Sequence, residues 1–239
     1  MNLVVDAGNS FTKVGIFDDQ KLAAQYAFSS LPELKEFLQN YSADNLIVSS
    51  VTHDAFSIVS WASHSNHKLI LDSSLPLPVI NTYATPETLG VDRIAGVCGA
   101  RQLYPASNCL VIDTGTCITY DFLNSDGTYV GGGISPGLLM RFEALNTFTK
   151  KLPLIGPADD VPLIGQTTEA SIQSGVVNGV IAELNGVIAL YRQRFSALRV
   201  ILCGGDALFF ENKLKGSIFA VPELVLSGLN SILIYNVGR

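Results

Sequence analysis

The chain reads as two related lobes of mixed strands and helices. Three observations predict this: a partial internal repeat, an alternation of strand-like with helix-like segments, and enough apolar residues to fill a sizeable core. The repeat is the sharpest of them. Leu3–Thr12, LVVDAGNSFT, lines up without a gap on Leu110–Thr119, LVIDTGTCIT, at an offset of 107 residues. The 239 residues are 48% hydrophobic and 15% charged, against roughly 25% charged for an average soluble domain, a length that fits one large domain or two small ones.

Each copy of the repeat is an apolar run, then Asp, then x-Gly, then Asn or Thr, then residues able to pair as a second strand. That pattern is a β-hairpin with its turn at Asp-x-Gly. After the first copy, a charged turn at Asp18-Asp19 leads to an apolar segment ending near Ser29. After the second, Asn124-Ser125-Asp126-Gly127 is a strong turn before YVGGGI, so a three-stranded meander is expected. PELKEFLQNY, from Pro32, predicts a short amphipathic helix with Ser29 or Ser30 as its cap. LIVSSV, from Leu46, and LILD, from Leu69, read as strands with a helix, HDAFSIVSWASH, between them. TPETLGVDRIAGVCGARQLY starts a helix near Asp92.

In the second half, PGLLMRFEALNTFT is helical, and the stretch from Thr167 to Phe195 begins a longer helix despite internal glycines. RVILCGGDA runs from strand to glycine turn, and LVLSGLNSILIY is a final buried helix. The expected lobes are residues 1–105 and 106–239, with a hinge near residues 104–108 and the active site in the cleft between them.

Composition excludes several functions. Fifteen Lys plus Arg against 21 Asp plus Glu leave a net charge of -6, with no basic run to track a phosphate backbone, so nucleic acid is not an expected partner. No apolar stretch reaches membrane-spanning length without polar interruption and the first residues, MNLVVDAGNS, lack a signal-peptide layout; no membrane partner and a cytoplasmic location are expected. Cys98, Cys109, Cys117 and Cys203 have no CxxC spacing and read as unpaired packing cysteines, and His64 and His67 as solvent-facing.

Asp6 and Asp113 end their strands and are followed by Gly8 and Gly115, where backbone amides can approach an anion; Asn9, Ser10 and Thr116 add short polar groups. The aspartates suit a cation or its bound water, so ATP with magnesium fits. The alternative is an ordinary Asx-turn at each strand end, or a chance similarity of two hairpins, and two copies at equivalent places weigh against it. Lys13 is placed either to neutralise phosphate or to face solvent. LCGGDA, from Leu202, offers a further close backbone approach to adenine or ribose, and no P-loop or dinucleotide fingerprint occurs. Asp92 is the candidate general base and Arg93 a candidate anion clamp, against the alternative of a capping aspartate and a surface arginine.

DAGNSFTK from Asp6, GVDR from Gly90, DTGTCIT from Asp113, GGGISPG from Gly131 and IQSG from Ile172 resemble, in order, the motifs of the type III pantothenate kinases. The resemblance covers nearly the whole chain. It implies the duplicated ribonuclease-H-like, actin-like α/β fold of the acetate and sugar kinase superfamily, and phosphorylation of pantothenate by ATP in the first step of coenzyme A synthesis. It implies that Asp6, Ala7, Gly8, Asn9, Ser10, Phe11, Thr12 and Lys13 form the first phosphate loop, with Asp6 placing Mg2+, and that Thr116 binds ATP. It also implies that Asp113 binds the monovalent cation, K+ or NH4+, and that Tyr83, Gly90, Val91, Asp92, Arg93 and Thr168 line the pantothenate site, with Asp92 as proton acceptor. A homodimer that completes this site across its interface follows from the same resemblance. Thr114 and Cys117 depart from the residues commoner in the family but stay small enough for a tight hairpin. The rival readings are a kinase of the same fold acting on another small alcohol, and a regulatory protein related to transcriptional accessory factors.

Overall fold

The computed structural model describes residues 1–238. In chain order the first elements are β1 (Asn2–Ala7), β2 (Thr12–Asp18), β3 (Lys21–Phe28), α1 (Leu31–Asn40), β4 (Ala43–Ser50), α2 (Ala55–Trp61), β5 (Ser65–Ile70), β6 (Ile80–Asn81) and α3 (Val91–Leu103). They continue as β7 (Cys109–Thr114), β8 (Cys117–Leu123), β9 (Thr128–Pro136), α4 (Leu138–Thr147), α5 (Thr168–Gln173), α6 (Gly179–Arg194), β10 (Arg199–Cys203), α7 (Ala207–Glu211), β11 (Phe219–Ala220) and α8 (Leu224–Val237). A π-helical turn, Ser174–Asn178, joins α5 to α6 into one helical run.

The repeat seen in the sequence is a repeat of topology. One sheet has the order β3-β2-β1-β4-β5; the other contains β9-β8-β7-β10-β11, the same order, with β6 added beside β9. In the first, β1 pairs antiparallel with β2 and parallel with β4; in the second, β7 pairs parallel with β10, which pairs parallel with β11. The strands β1 and β7 begin and end at repeat-equivalent residues and share one burial pattern, in which only the aspartate is not fully buried. The hairpins differ. The first leaves Gly8–Phe11 outside the strands, whereas β8 starts at Cys117 and leaves Gly115 and Thr116, so the gapless sequence match does not carry over to loop length.

The chain divides into two compact units, one of residues 1–107, 123–131 and the segment from Glu223, the other of residues 108–122 and 132–222. This division differs from lobes at 1–105 and 106–239 by grouping the β8–β9 tip and α8 with the N-terminal half; Arg239 lies outside the described residues. The reason for α8 is packing. A Cβ on Gly228 would collide with the carbonyl oxygen of Ala95, and one on Gly99 would lie 2.5 Å from the carbonyl oxygen of Leu224. The backbones of α3 and α8 therefore touch. A chain of buried amides ties α8 to the sheet: Asn45 Nδ2 donates to Asn2 Oδ1 (2.8 Å), Asn2 Nδ2 to Asn230 Oδ1 (2.9 Å), and Asn230 Nδ2 to the Asp19 carbonyl (2.8 Å). On the opposite sheet face, Leu3, Val5, Leu46 and Val48 meet Leu34, Leu38 and Ile58 of α1 and α2.

In the second unit, Leu110, Ile112, Val200 and Leu202 pack with Ile172, Val176, Val180, Leu184 and Ile188 along one side of the helical run 168–194. That run is long and apolar enough to cross a membrane by composition, but this face is committed to the core. Smaller differences from expectation are local. Ser30 is the N-cap residue of α1 but its side chain makes no capping bond. β5 begins at Ser65 instead of Leu69, because it pairs with β4 as a sheet edge and needs no apolar residue on its outer side. Cys98, Cys109 and Cys203 are buried and Cys117 is half-buried; His64 and His67 are exposed.

The α3–α8 contact predicts a sharp contrast. Gly228→Ala should cost about 3 kcal/mol in denaturant unfolding, since one backbone must retreat from the other. Gly186→Ala, in α6 with open space around it, should be neutral or gain up to about 1 kcal/mol. Equal stability of the two variants would contradict the packing described.

Candidate active site

In the first unit the candidate residues gather at the end of β1 and the start of α3. Asp6 is the register partner of Lys13 across the β1–β2 hairpin and of Ser49 on β4. The turn is closed by Gly8 N donating to the Phe11 carbonyl at 3.2 Å, and Val51 N donates to the Ala7 carbonyl at 3.1 Å. Asn9, Ser10 and Phe11 are exposed; Ala7 and Thr12 are buried. A polar, glycine-started loop is thus held between two strands, with its residues presented to solvent.

Gly90 is the N-cap residue of α3, followed by Val91, Asp92 and Arg93. Asp92 Oδ1 accepts from Arg93 N at 2.8 Å, so the carboxylate is pinned against the first turn; a Cβ on Gly90 would lie 2.6 Å from that oxygen. Arg93 is not the surface residue that the alternative reading required: it is 8% exposed and opens a run through Ala100 that is wholly buried. Its guanidinium lies over the ring of Tyr83, 5.7 Å from the centroid. Tyr83, Gly90, Asp92 and Arg93 are therefore brought together by the fold.

In the second unit Asp113, the penultimate residue of β7, lies beside Cys203 of β10. Gly204, at φ +91°, fits directly over it: a Cβ there would strike Asp113 Oδ1 and lie 2.7 Å from Thr114 N. Thr114 Oγ1 donates to the Cys203 carbonyl at 2.9 Å and Asp206 N to the Thr114 carbonyl at 2.9 Å. Burial pushes the Asp206 carboxyl above the usual carboxylate range. Thr116 sits in the second hairpin turn, where Gly115 N donates to the Cys117 carbonyl (3.0 Å) and Gly137 N to the Thr116 carbonyl (3.1 Å). The CGGDA segment, read in the sequence as an approach to nucleoside, is seen here to seat Asp113.

Thr168 opens α5 in the second unit and lines a cavity of about 1240 Å³ with Arg141, Met140, Phe148 and Ser171. Arg141 is held by Glu183 (2.6 Å) and by Ser135 Oγ (2.8 Å), and Tyr120 donates to Glu183 Oε1 at 2.9 Å. Burial opposes ionisation of Glu183, but bonds from Arg141, Ser135 and Tyr120 outweigh it and hold the carboxyl below its usual range; burial and Glu183 together push the Tyr120 hydroxyl up. Neither this cluster nor the stacking of Tyr129 with Tyr83 is visible in the sequence, where long stretches separate Tyr120 from Glu183 and Tyr83 from Tyr129.

A sequence profile described as type III pantothenate kinase matches residues 2–190. A type III pantothenate kinase of Phocaeicola vulgatus is 45% identical over 239 residues, covering 99% of each chain. Another, of Christiangramia forsetii, is 44% identical over 246 residues, also covering 99% of each. Among solved structures, a protein described as a Baf family transcriptional activator from Campylobacter jejuni superposes with a TM-score of 0.65 at 20% identity, covering 99% of this chain and 100% of its own. A glucokinase from an Antarctic psychrotroph gives 0.54 at 12% identity, covering 98% of each. At such identities these structures speak to the fold, which is that of the actin-like kinases.

The two adjacent glycines of CGGDA separate cleanly. Gly204→Ala, at a positive φ and against Asp113, should cost about 3 kcal/mol, whereas Gly205→Ala, with open space at its Cβ position, should stay within about 1 kcal/mol of the parent. Urea unfolding of the two variants checks this, and equal losses would remove Gly204 as the seat of Asp113.

Proposed function

The chain belongs to the type III pantothenate kinase family and phosphorylates pantothenate from ATP to give 4'-phosphopantothenate, the first step of coenzyme A synthesis, and on that premise we propose the following roles for its residues. Asp92 accepts the proton of the primary hydroxyl of pantothenate as that oxygen bonds to the γ-phosphorus and the bond from phosphorus to the ADP oxygen breaks. What supports this is the cluster at the start of α3, where a pinned carboxylate, a buried guanidinium and a tyrosine ring meet. Arg93 pairs with the pantothenate carboxylate, and Tyr83, Gly90 and Val91 shape the pocket around it. Thr168 supplies a further hydroxyl to the substrate.

The loop from Asp6 to Lys13 and Thr116 receive the ATP phosphates through backbone amides and short hydroxyls, with Lys13 offsetting charge. Family membership implies the use of ATP, Mg2+ and a monovalent cation. The donors fit hard cations. Asp6 and Asp113 are carboxylates near strand ends, the oxygen donors that such cations take. We assign Mg2+ to Asp6 and K+ or NH4+ to Asp113; when bound, these ions neutralise charge on the phosphates.

We read the molecule as a cytoplasmic homodimer whose pantothenate site is completed by the partner copy. Supporting this are Leu139, Phe148, Leu163 and Ile164 of the second unit, apolar residues that are 56%, 85%, 82% and 77% exposed. The acidic balance argues against nucleic acid as a partner.

Incubation with ATP, Mg2+ and pantothenate, with and without K+, should give 4'-phosphopantothenate by mass spectrometry only when the monovalent cation is present. Asp113→Asn should raise the K+ concentration for half-activation about tenfold, because the ion loses its formal counter-charge. Absence of product from folded, ATP-binding protein would shift the reading to another small alcohol, and an unchanged K+ titration in Asp113→Asn would move the cation elsewhere.

A further inference from the structure

Tyr83 lies in a stretch, Asp72 to Leu89, with no fully buried residue and no regular structure besides the two residues of β6 and a 3-10 turn at Pro86–Thr88. A ring on such a stretch keeps a fixed place only where neighbours hold it. They do so through the tip of the β8–β9 hairpin. Ile80 N donates to the Gly127 carbonyl at 2.9 Å. The carbonyl of Tyr129 accepts twice from Thr82, from its N at 3.1 Å and its Oγ1 at 2.8 Å. Asn81 Oδ1 then accepts from Tyr83 N at 3.0 Å and bends the chain so that Tyr83 turns back. The Tyr83 ring stacks on that of Tyr129 with centroids 6.1 Å apart and planes 12° from parallel. Tyr129 is fully buried, and so offers an immobile floor. Gly131, at φ +118°, holds a backbone conformation that favours glycine where β9 passes the edge of the Tyr83 ring. Tyr83 thus contacts both the Arg93 guanidinium, 5.7 Å from its ring centroid, and the Tyr129 ring.

We propose that Tyr129 is a positioning residue for pantothenate binding: by main chain and ring together it sets where Tyr83 stands. The inference rests on the reading of Tyr83 as a substrate contact. It assigns to a strand residue with no expected role a part in the specificity of the pocket. Loss of the floor weakens binding of the ground state and the transition state alike, which raises KM and leaves kcat in place. A residue needed only for folding would lower the active fraction, hence apparent kcat, at constant KM.

The test is steady-state kinetics of the full-length enzyme against pantothenate and against ATP. Tyr129→Leu should raise KM for pantothenate about fivefold, with KM for ATP and kcat unmoved; Tyr129→Phe, which keeps the ring, should recover most of that loss. Thr82 is on the surface, so Thr82→Val folds even if Tyr129→Leu does not, and should raise the same KM about twofold by loosening the clip. Tyr83→Ala separates the two readings. If Tyr83→Ala raises KM for pantothenate while Tyr129→Leu and Thr82→Val leave it unchanged, the positioning role is overturned and the substrate contact stands. If Tyr83→Ala also leaves it unchanged, the substrate contact fails and the proposal falls with it.

Discussion

The approach of α3 to α8 at bare backbone distance is the constraint on which the cluster at the start of α3 depends. Gly99 and Gly228 let each helix lie against carbonyl oxygens of the other, so α3 is buried from Arg93 to Ala100 and cannot slide or rotate without collision. Asp92 and Arg93 stand on its first turn and inherit that rigidity. The ring of Tyr83 is aligned on the guanidinium of Arg93, and the ring of Tyr129 on Tyr83. A kinase of this type does little covalent chemistry of its own, and its rate comes from placement and charge compensation, which a stiff helix start supplies.

The duplicated strand end is the second organising feature, and its two copies have diverged in useful ways. In both, an aspartate is the one residue of a central strand that is not fully buried, and a parallel neighbour strand flanks it. Beside Asp6 stands Ser49, whose chain continues into a turn closed on Ala7; beside Asp113 stands Cys203, whose chain continues through Gly204 onto the carboxylate. The first hairpin leaves four residues outside its strands and the second leaves two. One backbone plan thus yields a roomy polar loop in one unit and a tightly packed carboxylate in the other.

Much of this was legible before any coordinates. The gapless match of LVVDAGNSFT with LVIDTGTCIT identified both strand-end aspartates, and a helix start near Asp92 was read from TPETLGVDRIAGVCGARQLY. What the sequence hid was distance along the chain. Gly228 reads as a helix-weakening glycine until Ala95 is placed against it, and α8 reads as part of the C-terminal lobe until that contact groups it with the first unit. Tyr129 looks like one more strand residue of YVGGGI, because nothing in its neighbours announces a ring 46 positions earlier. Gly204 and Gly205 look alike in CGGDA, and only the backbone shows that one is pressed on Asp113 while the other faces open space.

The central claim is that a carboxylate held on a rigid helix start takes the proton from pantothenate. It is tested most directly by Asp92→Asn in two measurements on one preparation: calorimetric binding of ATP and single-turnover formation of 4'-phosphopantothenate. ATP affinity should stay within about threefold of the parent while the chemical step slows by about a thousandfold, since the shape is kept and the proton acceptor is removed. A chemical step near the parental rate, in protein that still binds ATP, would contradict the assignment of Asp92 as the base.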